Sequence, residues 1–342
     1  MLRPVQVDPA GVHGPTPNQA RGPKVRRTSC GLYVVSSDSP GPEQRAIDAW
    51  SGLLLGGWVT GWAALRWWGG YWFDGLGPDG VTELAVPLVS SIDQDPPPPG
   101  SRIVRDRIGA EEHEVHLGLP VTTAVRSLFH EVVRARSLRE AVIAIDLAAY
   151  NDLVSLAEFA DCLARHCGWR GIRRARTALT LASENSLSPR EPRLRLVLQT
   201  GGISLLEVNV PVFNSAGKHL GTPDLLDPAA GVVIEYDGAV HLEASRRKRD
   251  RDREEAFRRV GLEYITVLAG DTDEAVVRRV TEARGRARWA RPGERDWTLE
   301  PPHWWVRTET VADRRALPPE LRAVWLNLRR RPETASALES WP

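Results

Sequence analysis

Hydrophobic and polar positions along the chain change texture three times. Short β-type runs, among them Gly31-Leu32-Tyr33-Val34-Val35 and residues 81–89, fill the first part and are broken by turns such as Gly77-Pro78-Asp79-Gly80. Over 122–183 the apolar spacing becomes helical. Ser137-x-x-Glu140 and Ser155-x-x-Glu158 read as capping boxes ahead of helices with apolar positions at Val142, Ile145, Leu156, Phe159 and Leu163. Beyond Ser188 helix and strand alternate. Ser188-Pro189-Arg190-Glu191 opens a helix with an apolar stripe at Leu194, Val197 and Leu198. Strands are predicted over 207–213, 220–226 and 232–236, followed by a charged helix over Ala244–Arg259. The expected organisation is an α+β region over 1–120, a helical segment over 121–185 and an α/β domain over 186–286. That domain has the order αβββαβα and a mixed central sheet, and a Trp-, Pro- and Arg-rich segment follows over 287–342.

Composition narrows the picture only slightly. The chain has 342 residues, enough for two or three domains, and its 45 Lys and Arg nearly balance 44 Asp and Glu. A nucleic-acid surface must therefore be local, not a property of the whole molecule. Cys30, Cys162 and Cys167 form neither an even set nor a C-x-x-C pair, as suits a reducing cytoplasm. No signal h-region follows Met1, and Leu53-Leu54-Leu55 is broken at once by Gly56-Gly57, so no membrane segment is expected.

The aromatic run 56–75, GGWVTGWAALRWWGGYWFDG, has two readings: bases stacked on Trp67, Trp68 or Trp72, or core packing. Core packing is favoured, because large aromatics dominate interiors and only Arg66 accompanies these. Cys162 and His166 share a helix face beside Cys167, but no second ligand pair at zinc spacing appears. Arg21, Lys24, Arg26 and Arg27, and later Arg170, Arg173, Arg174 and Arg176, form basic stretches that face either phosphates or solvent.

The stretch that carries chemistry is 221–241, GTPDLLDPAAGVVIEYDGAVH. Val232, Val233 and Ile234 form a strand buried on both faces, and Asp227-Pro228 with Gly231 turns it back on the preceding run. Adjacent strands would bring Asp224 and Glu235 together. Carboxylates sharing a small site repel unless a cation or proton lies between them, so the pattern predicts a hard-metal site with Mg²⁺ first and Mn²⁺ second.

Pro223-Asp224, ten residues, Glu235 and Asp237 resemble the PD-(D/E)XK signature of restriction-endonuclease-like nucleases. Asp237 stands where that family usually has lysine. Glu235-Tyr236-Asp237-Gly238-Ala239-Val240-His241 is similar to the E-x-D-G-x-x-H run of the Vsr-like branch and its domain-of-unknown-function relatives. Asp250, Arg253, Phe257 and Gly261 keep that branch's D-x-x-R-x-x-x-(L/F)-x-x-x-G spacing. A further strand over 263–268 is what the resemblance implies, as the last strand of that branch. The likeness covers about 186–286. Residues 1–45, with 122–136, also resemble actinobacterial proteins in which an AbiEi-antitoxin-like region precedes such a domain.

The resemblance implies a metal-dependent DNA endonuclease with Asp224, Glu235 and Asp237 as metal ligands and His241 as general acid or base. Glu191 stands where the fold's first helix often bears an accessory carboxylate, and capping explains the same position. Arg253, Arg246 and Lys248 are the expected nucleic-acid contacts on the charged helix, where i,i+4 pairing with its acids is the alternative. A second function fits too, a DNA-binding, antitoxin-like regulator that keeps the scaffold without turnover. DNA is the expected partner, with a toxin partner or a homo-oligomer left open.

Overall fold

The computed structural model describes residues 1–35, 40–54, 56–90, 92, 94–237 and 244–329. Two compact units emerge, 1–136 with 157–176 and 137–156 with 177–342.

In the first unit, β1 (Val5–Gln6), β2 (Val25–Ser29) and β3 (Leu32–Val35) make a small antiparallel sheet in the order β1-β3-β2. After α1 (Pro42–Ser51) come β4 (Trp58–Val59), α2 (Gly61–Trp67), β5 (Val86–Val89), β6 (Ser101–Val104), β7 (His113–His116) and β8 (Leu119–Thr122), then α3 (Ala124–Arg134). These strands form a mixed sheet ordered β6-β5-β4-β8-β7. The expected 81–89 strand is shorter, because only its last four residues are paired in the ladder. The aromatic run is core and frame. The indole N–H groups of Trp62, Trp67 and Trp68 donate to the carbonyls of Ala85, His116 and Thr122 at 3.1, 2.8 and 2.9 Å. A buried indole needs such an acceptor, and these contacts tie α2 to the sheet on which it packs.

Helix α4 (Leu138–Tyr150) begins the second unit, and the Ser137 side chain accepts from the Glu140 amide at 3.1 Å as the capping pattern requires. Next along the chain, α5 (Leu156–Arg165) belongs to the first unit from Ala157 on, and α6 (Ile172–Leu181) runs across the division at Arg176. Then α7 (Arg190–Thr200) leads into β9 (Glu207–Val208), β10 (Val212–Asn214), β11 (His219–Gly221), β12 (Leu225–Asp227) and β13 (Val232–Asp237). The chain continues through α8 (Ala244–Arg259), β14 (Glu263–Leu268), α9 (Asp273–Arg286), β15 (Trp297–Thr298), α10 (Val311–Arg315) and α11 (Pro319–Arg329). The main sheet is ordered β14-β13-β12-β9, with β13 and β14 parallel and the other pairs antiparallel.

Two expected strands each split between two sheets. Residues 207–213 become β9 in the main sheet and β10 in a second sheet, β11-β10-β15. Asn209 between them has φ of 47°, and Pro211 has no N–H for a ladder. Residues 220–226 divide likewise into β11 and β12 around Thr222-Pro223-Asp224.

Strand alternation puts a core on each face of the main sheet. Val232 and Ile234, with Leu225, Ile265 and Val267, pack against Leu194, Val197 and Leu198 of α7 and Val276 and Val280 of α9. On the other face Val233 and Leu226 pack with Phe257 of α8 and Trp297 of β15. The α4 helix joins this unit through a buried ion pair, Asp146 to Arg195 Nη2 at 2.5 Å, with the Ser186 hydroxyl donating to the same carboxylate at 2.6 Å. Burial pushes the Asp146 carboxyl up to about 6 even though Arg195 opposes it.

Candidate functional site

Asp224 sits in the break between β11 and β12, where Pro223 stops the ladder. Its backbone carbonyl accepts the Asn209 amide at 3.2 Å, and its carboxylate Oδ2 accepts the Tyr236 amide at 2.7 Å. That second bond clips the residue to the neighbouring strand. Leu225 faces Ile234 in the antiparallel register of β12 and β13, so Asp224 and Glu235 occupy neighbouring strand ends as the sequence predicted. Glu235 is buried, with 7% of its surface exposed.

Glu191 comes to this place from α7. The helix begins at Arg190, so the cap lies one residue later than the Ser188 pattern predicted, and the Ser188 hydroxyl accepts the Arg190 amide at 3.3 Å. Glu191 reaches back to accept the Leu187 amide at 2.8 Å and also accepts from Asn209 Nδ2 at 2.5 Å. It is therefore a capping residue and a member of the acidic group together. Burial, and after it the charge of Asp224, hold its carboxyl well above the usual carboxylate range. Asn185 completes the frame, donating to the carbonyls of Val208 and Asn209 at 2.9 Å each. Asn209 returns a bond to the Asn185 carbonyl at 2.8 Å.

Arg253 of α8 approaches from the other face, its Nη2 lying 3.1 Å from Glu235 Oε2. Its stem crosses Gly221, where a Cβ would stand 2.7 Å from Phe257 Cζ and 3.0 Å from Arg253 Cδ and Cγ. Gly221 is thus a close-approach glycine that lets α8 lie against β11. Tyr264 lies beside the pair. Burial, then the Glu235 charge, push its phenol pKa up.

Asp237 ends β13 as an exposed residue paired with Leu268 of β14. His241 falls outside the described residues, as do the side chains of Arg246 and Lys248. Among the described residues, no three His, Cys, Asp or Glu side chains gather into a group that could hold a metal ion. What Asp224, Glu235 and the nearby Glu191 offer is oxygen-only and anionic, a donor chemistry that fits a hard divalent cation. The raised Glu191 carboxyl reflects its burial first and the Asp224 charge second, so the fit rests on the donor chemistry of the acids themselves.

Sequence reasoning missed Arg190 and Tyr236. Tyr236 alternates with Glu235, so its ring lies on the α7 face, where the Arg190 guanidinium stacks 5.1 Å from the ring centroid and donates to the phenol oxygen. The helix-opening pattern around Ser188 accounted for Arg190 locally and hid this contact. A cleft lined by Gly231, Gly261, Arg288 and Trp297 opens at the opposite ends of β13 and β14, away from the acids.

In the first unit, Cys162 Sγ lies 3.7 Å from His166 Nδ1, while His166 Nε2 lies 3.0 Å from Glu112. Burial pushes the Cys162 thiol up to about 11, so it packs as a protonated thiol. The dominant polar group there is Asp106, which receives Arg126 Nη2 at 3.1 Å, Arg134 Nη2 at 2.5 Å and His130 Nδ1 at 3.4 Å. Burial opposes ionisation of Asp106, but hydrogen bonds from His130 and Arg134 outweigh it and hold the carboxyl below the usual range. Burial also lowers the His130 imidazole pKa. The neutral ring can donate from Nδ1 to Asp106 and accept at Nε2 from Arg102 at 3.3 Å.

Fold and site together define a mixed α/β protein with acids crowded at the end of one sheet. No family model matches the chain, and no solved structure matches it significantly. It is similar to two curated proteins of Mycobacterium tuberculosis, "Uncharacterized protein MT2308" of strain CDC 1551 / Oshkosh and "Uncharacterized protein Rv2248" of strain H37Rv. Each is 27% identical over 173 residues, covering 49% of this chain and 62% of the relative. The alignment therefore spans less than two thirds of the length of these relatives. Among the described residues, no helix is long and apolar enough to cross a membrane.

Proposed function

We propose that the second unit is a restriction-endonuclease-like domain that hydrolyses DNA phosphodiester bonds with a divalent cation, Mg²⁺ or Mn²⁺. The observation that carries this reading is the placement of Asp224 and Glu235 on adjacent strands, each one residue beyond the Leu225–Ile234 pair. Glu235 is buried on the strand next to half-buried Asp224, and the Arg253 guanidinium offsets its charge. Asp224 and Glu235 would hold the cation, and Asp237 stands next along the strand. When bound, the cation acidifies a water and offsets charge on the scissile phosphate. The chain's own residues prepare the place. The Tyr236 amide orients the Asp224 carboxylate, Arg253 orients Glu235, and buried Glu191 holds a proton more readily than an exposed carboxyl. Arg253 is also a cation beside the acids that can meet a phosphate oxygen, a role Asp237 cannot fill. His241 remains the proposed general acid or base.

Plasmid nicking by the full chain in Mg²⁺ or Mn²⁺ tests the proposal. Wild type should nick, and Asp224→Asn and Glu235→Gln should each lose activity. Cleavage by Asp224→Asn equal to wild type would remove this site from the reaction. If wild type does not cut but retains its own promoter fragment above the non-specific background, the regulator takes the nuclease's place.

A further inference from the structure

We infer that Arg190, held on Tyr236, is a second phosphate-backbone contact, placed across the sheet from Arg253 so that two guanidiniums bracket the acidic strand ends. The inference rests on the nucleic-acid reading above and adds a residue to it. Tyr236 is the junction: its amide holds the Asp224 carboxylate at 2.7 Å, and its ring carries the Arg190 guanidinium at 5.1 Å. Arg190 is thereby linked to Asp224 through the single residue Tyr236. On the opposite face Arg253 lies 3.1 Å from Glu235. Arg190 is exposed and the Arg253 side chain is 35% exposed, so both cations reach solvent while their stems are fixed.

The chemistry of that arrangement favours a polyanion over a single small anion. A strand bearing regularly spaced phosphates can meet Arg253 and Arg190 with different phosphates while one phosphodiester lies against the acids. Stacking on Tyr236 and the bond to its hydroxyl pre-set the guanidinium plane, so less side-chain freedom is lost when a phosphate binds. A planar fork with several donors is the group suited to phosphate oxygens. The competing role is a staple in which Arg190 merely fastens the start of α7 to β13. A staple affects stability, whereas a phosphate contact also changes the salt dependence of binding.

The test is fluorescence anisotropy of a labelled duplex with the full chain, in chelator, from about 50 to about 200 mM salt. Wild type should bind with a log–log salt slope that Arg190→Ala reduces by about 0.9, the share of one phosphate on duplex DNA. Arg190→Lys should restore the slope, and Tyr236→Phe should keep it. If Arg190→Ala proves unfolded, Arg190→Gln, which keeps a planar group over the ring, replaces it. A wild-type slope and affinity in a folded Arg190→Ala or Arg190→Gln would make the residue a staple and overturn the inference. Absence of salt-dependent binding by wild type would overturn it as well. A slope that depends on Arg190 in a protein that never nicks with Mg²⁺ would leave this inference standing and remove the nuclease proposal alone.

Discussion

Replacing Glu191 with glutamine measures how strongly its burial, and after it the Asp224 charge, raise its carboxyl. Glu191 is 4% exposed, and burial together with the Asp224 charge raises its folded pKa above the ordinary value of 4.5. Over the interval between those two values the folded chain keeps a proton that the unfolded chain has released. The native state then binds more protons, and stability falls as pH rises through that interval. One such group contributes a slope of at most about 1.4 kcal/mol per pH unit, hence at most about 2.7 kcal/mol between about pH 5 and about pH 7. The amide in Glu191→Gln keeps a carbonyl for the Leu187 N–H and has no charge to lose, so this contribution should vanish from its curve.

The assay is urea unfolding of both proteins across that pH range, with stability plotted as the difference. Subtracting the variant cancels Asp146, whose raised carboxyl contributes a loss in the same direction. Asp224→Asn should flatten the wild-type slope too, because the Asp224 charge is one of the two causes. Millimolar Mg²⁺ should stabilise wild type, by about 2.7 kcal/mol at a concentration ~100 times Kd, and should stabilise Glu191→Gln by nearly as much if Glu191 is not a ligand. Parallel wild-type and Glu191→Gln curves from about pH 5 to about pH 7 would refute the raising of this carboxyl by burial and the Asp224 charge.

Gly221→Ala should destabilise the protein by about 1–3 kcal/mol, because its Cβ overlaps the buried Phe257 ring and pushes on the Arg253 stem, and nicking should fall beyond what the lost stability explains. Chemical unfolding with parallel activity assays on the folded fraction checks it. Arg314 is fully buried, with Nε 2.6 Å from Asp152 and Nη groups on the carbonyls of Ala149, Glu184, Thr308 and Glu309. Arg314→Met should therefore cost about 3–5 kcal/mol, and adding Asp152→Asn should recover part of the loss in a double-mutant cycle. In the first unit, Asp106→Ala leaves the buried Arg126 to its longer pair with Glu112 at 3.6 Å and should cost about 3 kcal/mol near neutral pH. The wild-type contribution of Asp106 should disappear as pH falls below its ordinary 3.8, because its folded pKa is depressed; thermal melts in acid check the sign.

Features that leave a local trace were legible in the sequence. Three consecutive β-branched residues at Val232, Val233 and Ile234, with a turn before them, gave a strand pairing that brings Asp224 beside Glu235. The charged helix followed from composition, and β14 from the resemblance to the nuclease branch. The strand breaks were hidden because alternation persists through Asn209 and Pro211, and only backbone geometry shows that β9 and β10 enter different sheets. Long-range polar contacts leave no period at all. Nothing around Asp146 points to Arg195, and nothing around Trp297 points to its register opposite Asn214. Arg314 reads as one more charge in an arginine-rich tail until its five oxygen partners are seen. Residues 287–329 are consequently built into the second unit through β15 and the Arg314 anchor.

The break at Pro223 joins these observations into one physical argument. Were 220–226 a single strand, Asp224 would sit within a ladder with its main-chain groups committed to both neighbours. Pro223 removes one donor and ends β11 early, so the chain changes sheets just before Asp224. The Asp224 carbonyl then receives the Asn209 amide, and its carboxylate receives the Tyr236 amide. Those bonds fix the acid beside Glu235 and within electrostatic reach of Glu191. The same discontinuity frees β11 to pair with β10, leaving Gly221 as the floor over which Arg253 crosses to Glu235. A Pro223→Ala variant restores a possible ladder donor, so it should move the Glu191 pH slope and the Arg253-dependent DNA affinity together. Movement of one without the other would mean that the acids and the arginine are positioned by separate features of the fold.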